Sequence, residues 1–242
     1  MLSKTQGLVL HSTKYSETSL IVHMYTLHFG RQSYIIRGIR KGKGRNRMAL
    51  FQPLNILELE VSHSEKREIQ HLRETSILNP SHNITGNPVK ETMALFMAEV
   101  LYRCLREPES NPALFQFLLG TVQVLDLGMD EIPNLHLYFL VQLTRFLGFS
   151  PEQNQDEQHP RFDMYAGRFT AAPADEKGVL DNSSSARMGE LLKLDQSGLR
   201  SLQMKGSERS ELAGILIDYY RIHLEGMGTI KTLEIMREIF RA

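Results

Sequence analysis

Between Arg31 and Arg47 the chain places seven cations in 17 residues, Arg31, Arg37, Arg40, Lys41, Lys43, Arg45 and Arg47, and no carboxylate. Glycines at 38, 42 and 44 let the backbone bend closely around a ligand. Lys and Arg in such a stretch can neutralise a chain of phosphates. Tyr34, or Tyr15 and Phe29 on neighbouring strands, offers a ring on which a base can stack. A solubilising hairpin tip is the plainer explanation of a charged loop. Such tips usually mix both signs, however, and this one does not. The chemistry expected is DNA binding, with Arg31, Tyr34, Arg37, Arg40, Lys41, Lys43, Arg45 and Arg47 as its contacts.

Catalytic patterns fail when tested residue by residue. A phosphate loop needs G-x-x-x-x-G-K-[ST], but five residues after Gly38 stands Lys43, and no Ser or Thr follows to hold magnesium. Gly42-Lys43-Gly44 begins a dinucleotide fingerprint that breaks at Arg47. There is no G-x-S-x-G elbow and no H-E-x-x-H. The nine histidines are scattered, with no spacing that suggests metal ligation. A nuclease would need carboxylates near the basic loop, and none of the positions from 18 to 57 is acidic. The single cysteine, Cys104, falls on the apolar face of an expected helix and reads as a small buried hydrophobe. The expectation is a protein that is not an enzyme, with no catalytic and no metal-binding residues.

The elements that must position the basic stretch are strands. Leu57, Leu59 and Val61 interleave with Glu58 and Glu60, the pattern of a strand with one buried face. Similar alternation and intervening turn residues predict strands over about 5–12, 18–27, 31–40, 53–63 and 68–77. Five strands in ~80 residues suit a small closed barrel or sandwich, with a five-stranded OB-type barrel the natural candidate and an SH3-like barrel sharing the same period. After Asn79-Pro80 the period changes. Asn87-Pro88 has the form of a helix start, Asn as cap and Pro in the first turn. Met93, Met97, Val100, Leu101, Cys104 and Leu105 follow at helical spacing. Further helices are predicted from Asn111-Pro112 and Pro133-Asn134, near 186–194 and 197–203, and over about 207–225 and 229–241. The stretch 149–185 reads as a long polar loop. The fold class expected is α+β, all-β then all-α, with domains at 1–80 and 81–242.

Composition agrees with a globular chain. The 242 residues hold 28 Lys+Arg and 28 Asp+Glu, so the net charge is zero. Through Pro80 the chain carries 12 basic and 6 acidic residues, and beyond it 16 and 22. A basic first third and an acidic remainder suggest units with different partners. No apolar run approaches the ~20 residues needed to span a bilayer, and the first residues lack a signal-peptide pattern. One cysteine excludes an intrachain disulfide and a cysteine-based zinc site. The expected location is the cytoplasm, with no membrane association.

The order and spacing of several pieces resemble the RecO family of bacterial recombination mediators. These are Gly7-Leu8-Val9-Leu10, Tyr15-Ser16-Glu17-Thr18-Ser19-Leu20 and Tyr25 to Arg31. Arg37-Gly38-Ile39-Arg40-Lys41, Leu50-Phe51-Gln52-Pro53 and Leu72-Arg73-Glu74 continue the pattern. Phe146-Leu147-Gly148-Phe149 and Thr229 to Leu233 extend it towards the end of the chain.

The resemblance implies an N-terminal OB-fold and a helical domain. It also implies binding to single- and double-stranded DNA, strand annealing, and contact with the tail of single-stranded-DNA-binding protein. With RecR, such a protein helps load the RecA recombinase, so RecA is an indirect partner and the location is nucleoid-associated. Arg37, Arg40 and Lys41 match the family's basic DNA-binding strand by position. Many members carry four zinc-binding cysteines in the loop after Gly148, whereas 149–185 here contains none, and His159, Asp163 and Asp175 do not restore the spacing. No cofactor is therefore expected, the zinc being absent or replaced by ordinary packing. The alternative reading is a protein-interaction adaptor whose basic loop does not bind DNA.

Overall fold

The computed structural model describes residues 2–38, 48–78, 83–127, 133–195 and 198–239. The chain forms two compact units, Met1–Leu127 and Gly128–Ala242. The composition break after Pro80 falls just past the first five strands, while the compact units divide later, between Leu127 and Gly128.

The first unit is built on five strands, β1 (Leu2–Ser16), β2 (Ser19–Thr26), β3 (Gly30–Arg37), β4 (Ile56–Ser62) and β5 (Ile69–Ile77). They close into a barrel in the order β1-β2-β3-β5-β4, an OB-like arrangement. β1 is long enough to pair with β2 through its second half and with β4 through its first. Closure comes from a parallel pairing of β3 with β5, with Ser33 opposite Ile69 and Ile35 opposite His71. The alternation read in the sequence is present: Leu57, Leu59 and Val61 are buried, and Glu58 and Glu60 turn outward. With Val9, Val22, Met24, Tyr34 and Ile36 they fill the barrel. A register shift between Val9 and His11 breaks the alternation, so Leu8, Val9 and Leu10 are all buried.

Two helices belong to this unit, α1 (Pro88–Cys104) and α2 (Pro112–Leu127). Asn87 caps α1, its side chain accepting from the amides of Val89 and Lys90. The link between the helices runs against the β2–β3 turn, where Arg31 N–H donates to the Glu107 carbonyl and Ser110 Oγ donates to Leu27 O. Gly30, at φ +56°, lies so close to the Glu109 backbone that a Cβ would not fit.

The second unit contains α3 (Leu135–Leu147), α4 (Asn182–Leu192), α5 (Gly206–His223) and α6 (Thr232–Ile239). α3 is its central helix, buried over most of its length. Gly148 ends it in the left-handed region, as the residue pattern predicts. Where a polar loop is expected, the chain forms a hairpin of β6 (Arg161–Asp163) and β7 (Arg168–Thr170).

Candidate nucleic-acid interface

β3 delivers Arg37 to the barrel surface at its last position, exposed and followed by Gly38 at φ +75°. The parallel register with β5 brings a second strand of cations alongside. The pairing ends at Ile35 and His71, and just beyond it Arg37 and Arg73 line the same recess. Arg73 is itself the extra residue of a bulge in β5, because Glu60 pairs with Glu74 while Val61 pairs with Leu72. A bulge re-aims its side chain, which here stays exposed. The result is a surface recess of about 450 Å³ lined by Arg37, Ser62, Arg67, His71, Leu72 and Arg73. It contains no carboxylate. Among the described residues none of Arg37, Arg67 and Arg73 forms an ion pair. Three unpaired guanidiniums around one recess can hold an anion, most readily the oxygens of a phosphate.

Arg67, His71 and Arg73 were not expected from the sequence. Glu65, Glu68 and Glu74 dilute their charge along the chain, and in space none of the three lines the recess. Glu74 follows Arg73 but lies in a different recess, with Lys4, Glu58 and Glu60.

The other expected contacts divide into three groups. Arg40, Lys41, Lys43, Arg45 and Arg47 lie outside the described residues. Tyr34 is fully buried inside the barrel, with no hydrogen-bond partner for its hydroxyl among the described residues, and burial alone raises its pKa. A base cannot reach its ring there, whereas Tyr15 is exposed on β1. Arg31 turns inward to α1. Its guanidinium lies 4.5 Å from the Tyr102 ring centre and donates to the carbonyls of Tyr102 and Leu105, at 3.3 and 3.2 Å. Those carbonyls belong to the end of α1, where a cation offsets both the unmet acceptors and the helix dipole. Burial brings the Arg31 pKa down to about 10, which leaves it charged at neutral pH.

The groups around Arg31 are arranged to stay neutral. The rings of His11 and His23 both lie against Tyr102, with centroids 4.7 and 5.2 Å away. Burial first, and Arg31 second, lower both histidines, His23 to about 4. Burial pushes the Cys104 thiol up to about 12, so it carries no thiolate at neutral pH.

After Gly148 the carboxylates of Asp156 and Asp163 cap backbone turns. Asp163 Oδ1 accepts from the amides of Tyr165 and Ala166, and Asp156 Oδ1 accepts from the amides of Gln158 and His159 and meets His159 Nδ1 at 2.9 Å. No group of three or more His, Cys, Asp or Glu side chains among the described residues is placed to hold a metal ion. Packing fills the hairpin instead. Phe162 and Phe169 stand opposite one another, and Tyr219 and Phe149 continue their cluster. Asn154 donates to and accepts from the Phe169 backbone.

A closed five-stranded OB-like barrel followed by a helical domain, with a cationic recess on the barrel wall, defines an OB-type α+β protein. The family models agree along nearly the whole chain: recombination protein O N terminal matches residues 1–81, and recombination protein O C terminal matches residues 86–233. The DNA repair protein RecO of Flavobacterium psychrophilum is 37% identical over 241 residues, covering 99% of this chain and 100% of that protein. That of Bacteroides fragilis is 35% identical over 243 residues, with the same coverage. The chain belongs to the recombination protein O family, whose named relatives are DNA repair proteins. No helix among the described residues is long and apolar enough to cross a membrane.

Proposed function

We propose that this chain is a non-enzymatic mediator of recombinational DNA repair that binds single- and double-stranded DNA through its barrel. The observation that carries this reading is the carboxylate-free recess of Arg37, Arg67, His71 and Arg73 on the strand that leads into residues 39–47. Five-stranded OB barrels bind oligonucleotides near the loop between their fourth and fifth strands, and Arg67 stands in that loop. Strand annealing follows physically, because a cationic surface screens the repulsion between two phosphate chains held side by side. In this reading RecR and the tail of single-stranded-DNA-binding protein are its protein partners. RecA is reached indirectly, no cofactor is needed, and the work is done in the cytoplasm at the nucleoid.

Fluorescence anisotropy with labelled single-stranded DNA at several salt concentrations tests the reading. If ~3–5 phosphates are neutralised, log affinity falls against log salt with a slope of roughly −2 to −3.5. Affinity should then drop roughly 15- to 130-fold between about 50 and 200 mM salt. Changing Arg37, Arg67 and Arg73 together to Ala should flatten the slope by about two units. A triple variant with unchanged affinity and slope would move the adaptor reading ahead.

A further inference from the structure

A second, larger cavity of about 820 Å³ opens on the same barrel, between the β2–β3 turn, the β4–β5 loop and residues 105–108. Arg67 lines both this cleft and the cationic recess, so the two are neighbours that share that side chain. On its wall the rings of Phe29 and His63 stack with centroids 4.1 Å apart and planes within 17°. Gln32 and Ser33 add hydrogen-bonding groups.

The cleft is preformed. Gln70, almost fully buried, clasps the β4–β5 loop: its Nε2 donates to the carbonyls of Ser64 and Arg67 at 2.8 and 2.7 Å, and its Oε1 accepts from Ser64 N–H at 2.9 Å. On the other side Gln32 Nε2 donates to Phe29 O, and Phe29 N–H donates to Thr26 Oγ1. Both stacked rings thus sit on backbone fixed by buried amides. A cavity of this size with fixed walls falls within the range of small-molecule sites.

The charge distribution limits what can enter. Glu65 and Glu68 line the cleft together with Lys66, Arg67 and Arg106, so it lacks the single-sign field that polyphosphates require. The carboxylate-free surface lies next door, beyond Arg67. A flat, neutral ring suits the cleft, and the phosphate attached to it suits the recess.

We propose that the cleft seats an unpaired base of a DNA single strand, as a third ring against the Phe29–His63 stack, while Arg67 holds the adjoining phosphate. This assignment rests on the DNA-binding reading above and adds to it a basis for preferring single strands. A paired base must leave its duplex to enter the cleft, at a cost of a few kcal/mol. Arg37 and Arg73 do not distinguish the two forms, since both present phosphates.

The test compares a thymidine oligonucleotide with an abasic strand of equal length on the full chain at fixed salt. The thymidine strand should bind more tightly, and Phe29→Ala or His63→Ala should remove the difference, lowering its affinity roughly 5- to 150-fold. The salt slope and abasic binding should stay as they were. On the unaltered protein, a strand carrying 5-iododeoxyuridine should photocross-link within residues 28–33 or 63–70, which keeps the test independent of whether the variants fold. Equal binding of abasic and thymidine strands, or cross-links confined to other segments, would overturn the base seat while leaving phosphate binding in place. Failure of any strand to bind would overturn both. Free thymidine monophosphate should displace the strand only at far higher concentration; displacement at equal concentration would assign the cleft to a free nucleotide instead.

Discussion

Two arginines six positions apart on β3 have opposite tasks, because the end of α1 approaches only one of them. Arg37 projects from the last position of the strand into the cationic recess. Arg31 points to α1 and is held over Tyr102, with two helix-end carbonyls as acceptors. Both count equally in a tally of charge, which is why the sequence reading groups them. Their substitutions should therefore separate. Arg31→Ala leaves two half-buried carbonyls without their donor and removes a cation from an aromatic face, a loss of ~2–4 kcal/mol in folding free energy. Arg37→Ala exposes nothing and should stay within about 0.5 kcal/mol of the parent. Urea unfolding of the two variants checks this. Equal stabilities would mean that Arg31 is no more structural than Arg37. Tyr34 fails for a different reason: alternation along β3 puts it on the opposite face, inside the barrel with Val22 and Val61. A ring read as a stacking surface is a core residue, and Phe29 in the β2–β3 turn has the accessible position.

At the scale of elements, the strands were legible wherever one face is buried and the other wet. Leu57 to Val61 shows this pattern most clearly, and the helix starts at Asn87 and Asn111 follow from the local chemistry of caps, whereas Asn134 makes no side-chain cap bond. What alternation cannot convey is the partner of a strand. The parallel contact of β3 with β5 joins segments more than 30 residues apart, and it is this contact that gathers Arg37, Arg67 and Arg73. The β6–β7 hairpin was illegible for a different reason. Each strand has three residues, too few for a period, and its stability comes from distant groups. Phe162 meets both Phe169 and Tyr219 of α5, Tyr219 donates to the Phe149 carbonyl, and His223 meets Met164 O. This packing fills the segment after Gly148, which contains no cysteine and in which no zinc is expected. Chelator treatment should accordingly leave the melting temperature unchanged, whereas Phe162→Ala should lower stability by ~3–5 kcal/mol. One tightly held zinc per chain, with unfolding on its removal, would contradict the assignment.

Over the whole molecule the formal charge is zero and the sequence pI about 7.1, so neutral pH offers no net repulsion to overcome. Acid changes that balance through histidines that each unit holds uncharged. In the second unit His136 is fully buried near the start of α3, and burial first, then Arg209, lowers it to about 3. In the barrel unit His23 is lowered to about 4 by burial and then by Arg31. Both folded values lie below the ordinary 6.5, so the unfolded chain binds protons first as pH falls. The stability these groups confer is complete above about pH 6.5. It is lost progressively down to about 4 for His23 and about 3 for His136. Each fully coupled histidine changes the unfolding free energy by at most ~1.4 kcal/mol per pH unit inside its window. His23 is half exposed and contributes less. His136 alone accounts for roughly 2–4 kcal/mol between pH 6.5 and 4. That is a large share of the stability of a typical domain. Urea unfolding followed at pH 7, 6, 5 and 4 should show the midpoint of the second unit falling steadily below pH 6.5. His136→Gln removes the titrating group, so its pH dependence between 6 and 4 should be shallower by about one proton even if its stability at pH 7 is reduced. An unaltered slope in that variant would show that His136 does not govern the acid limit, and that carboxylates titrating at lower pH do.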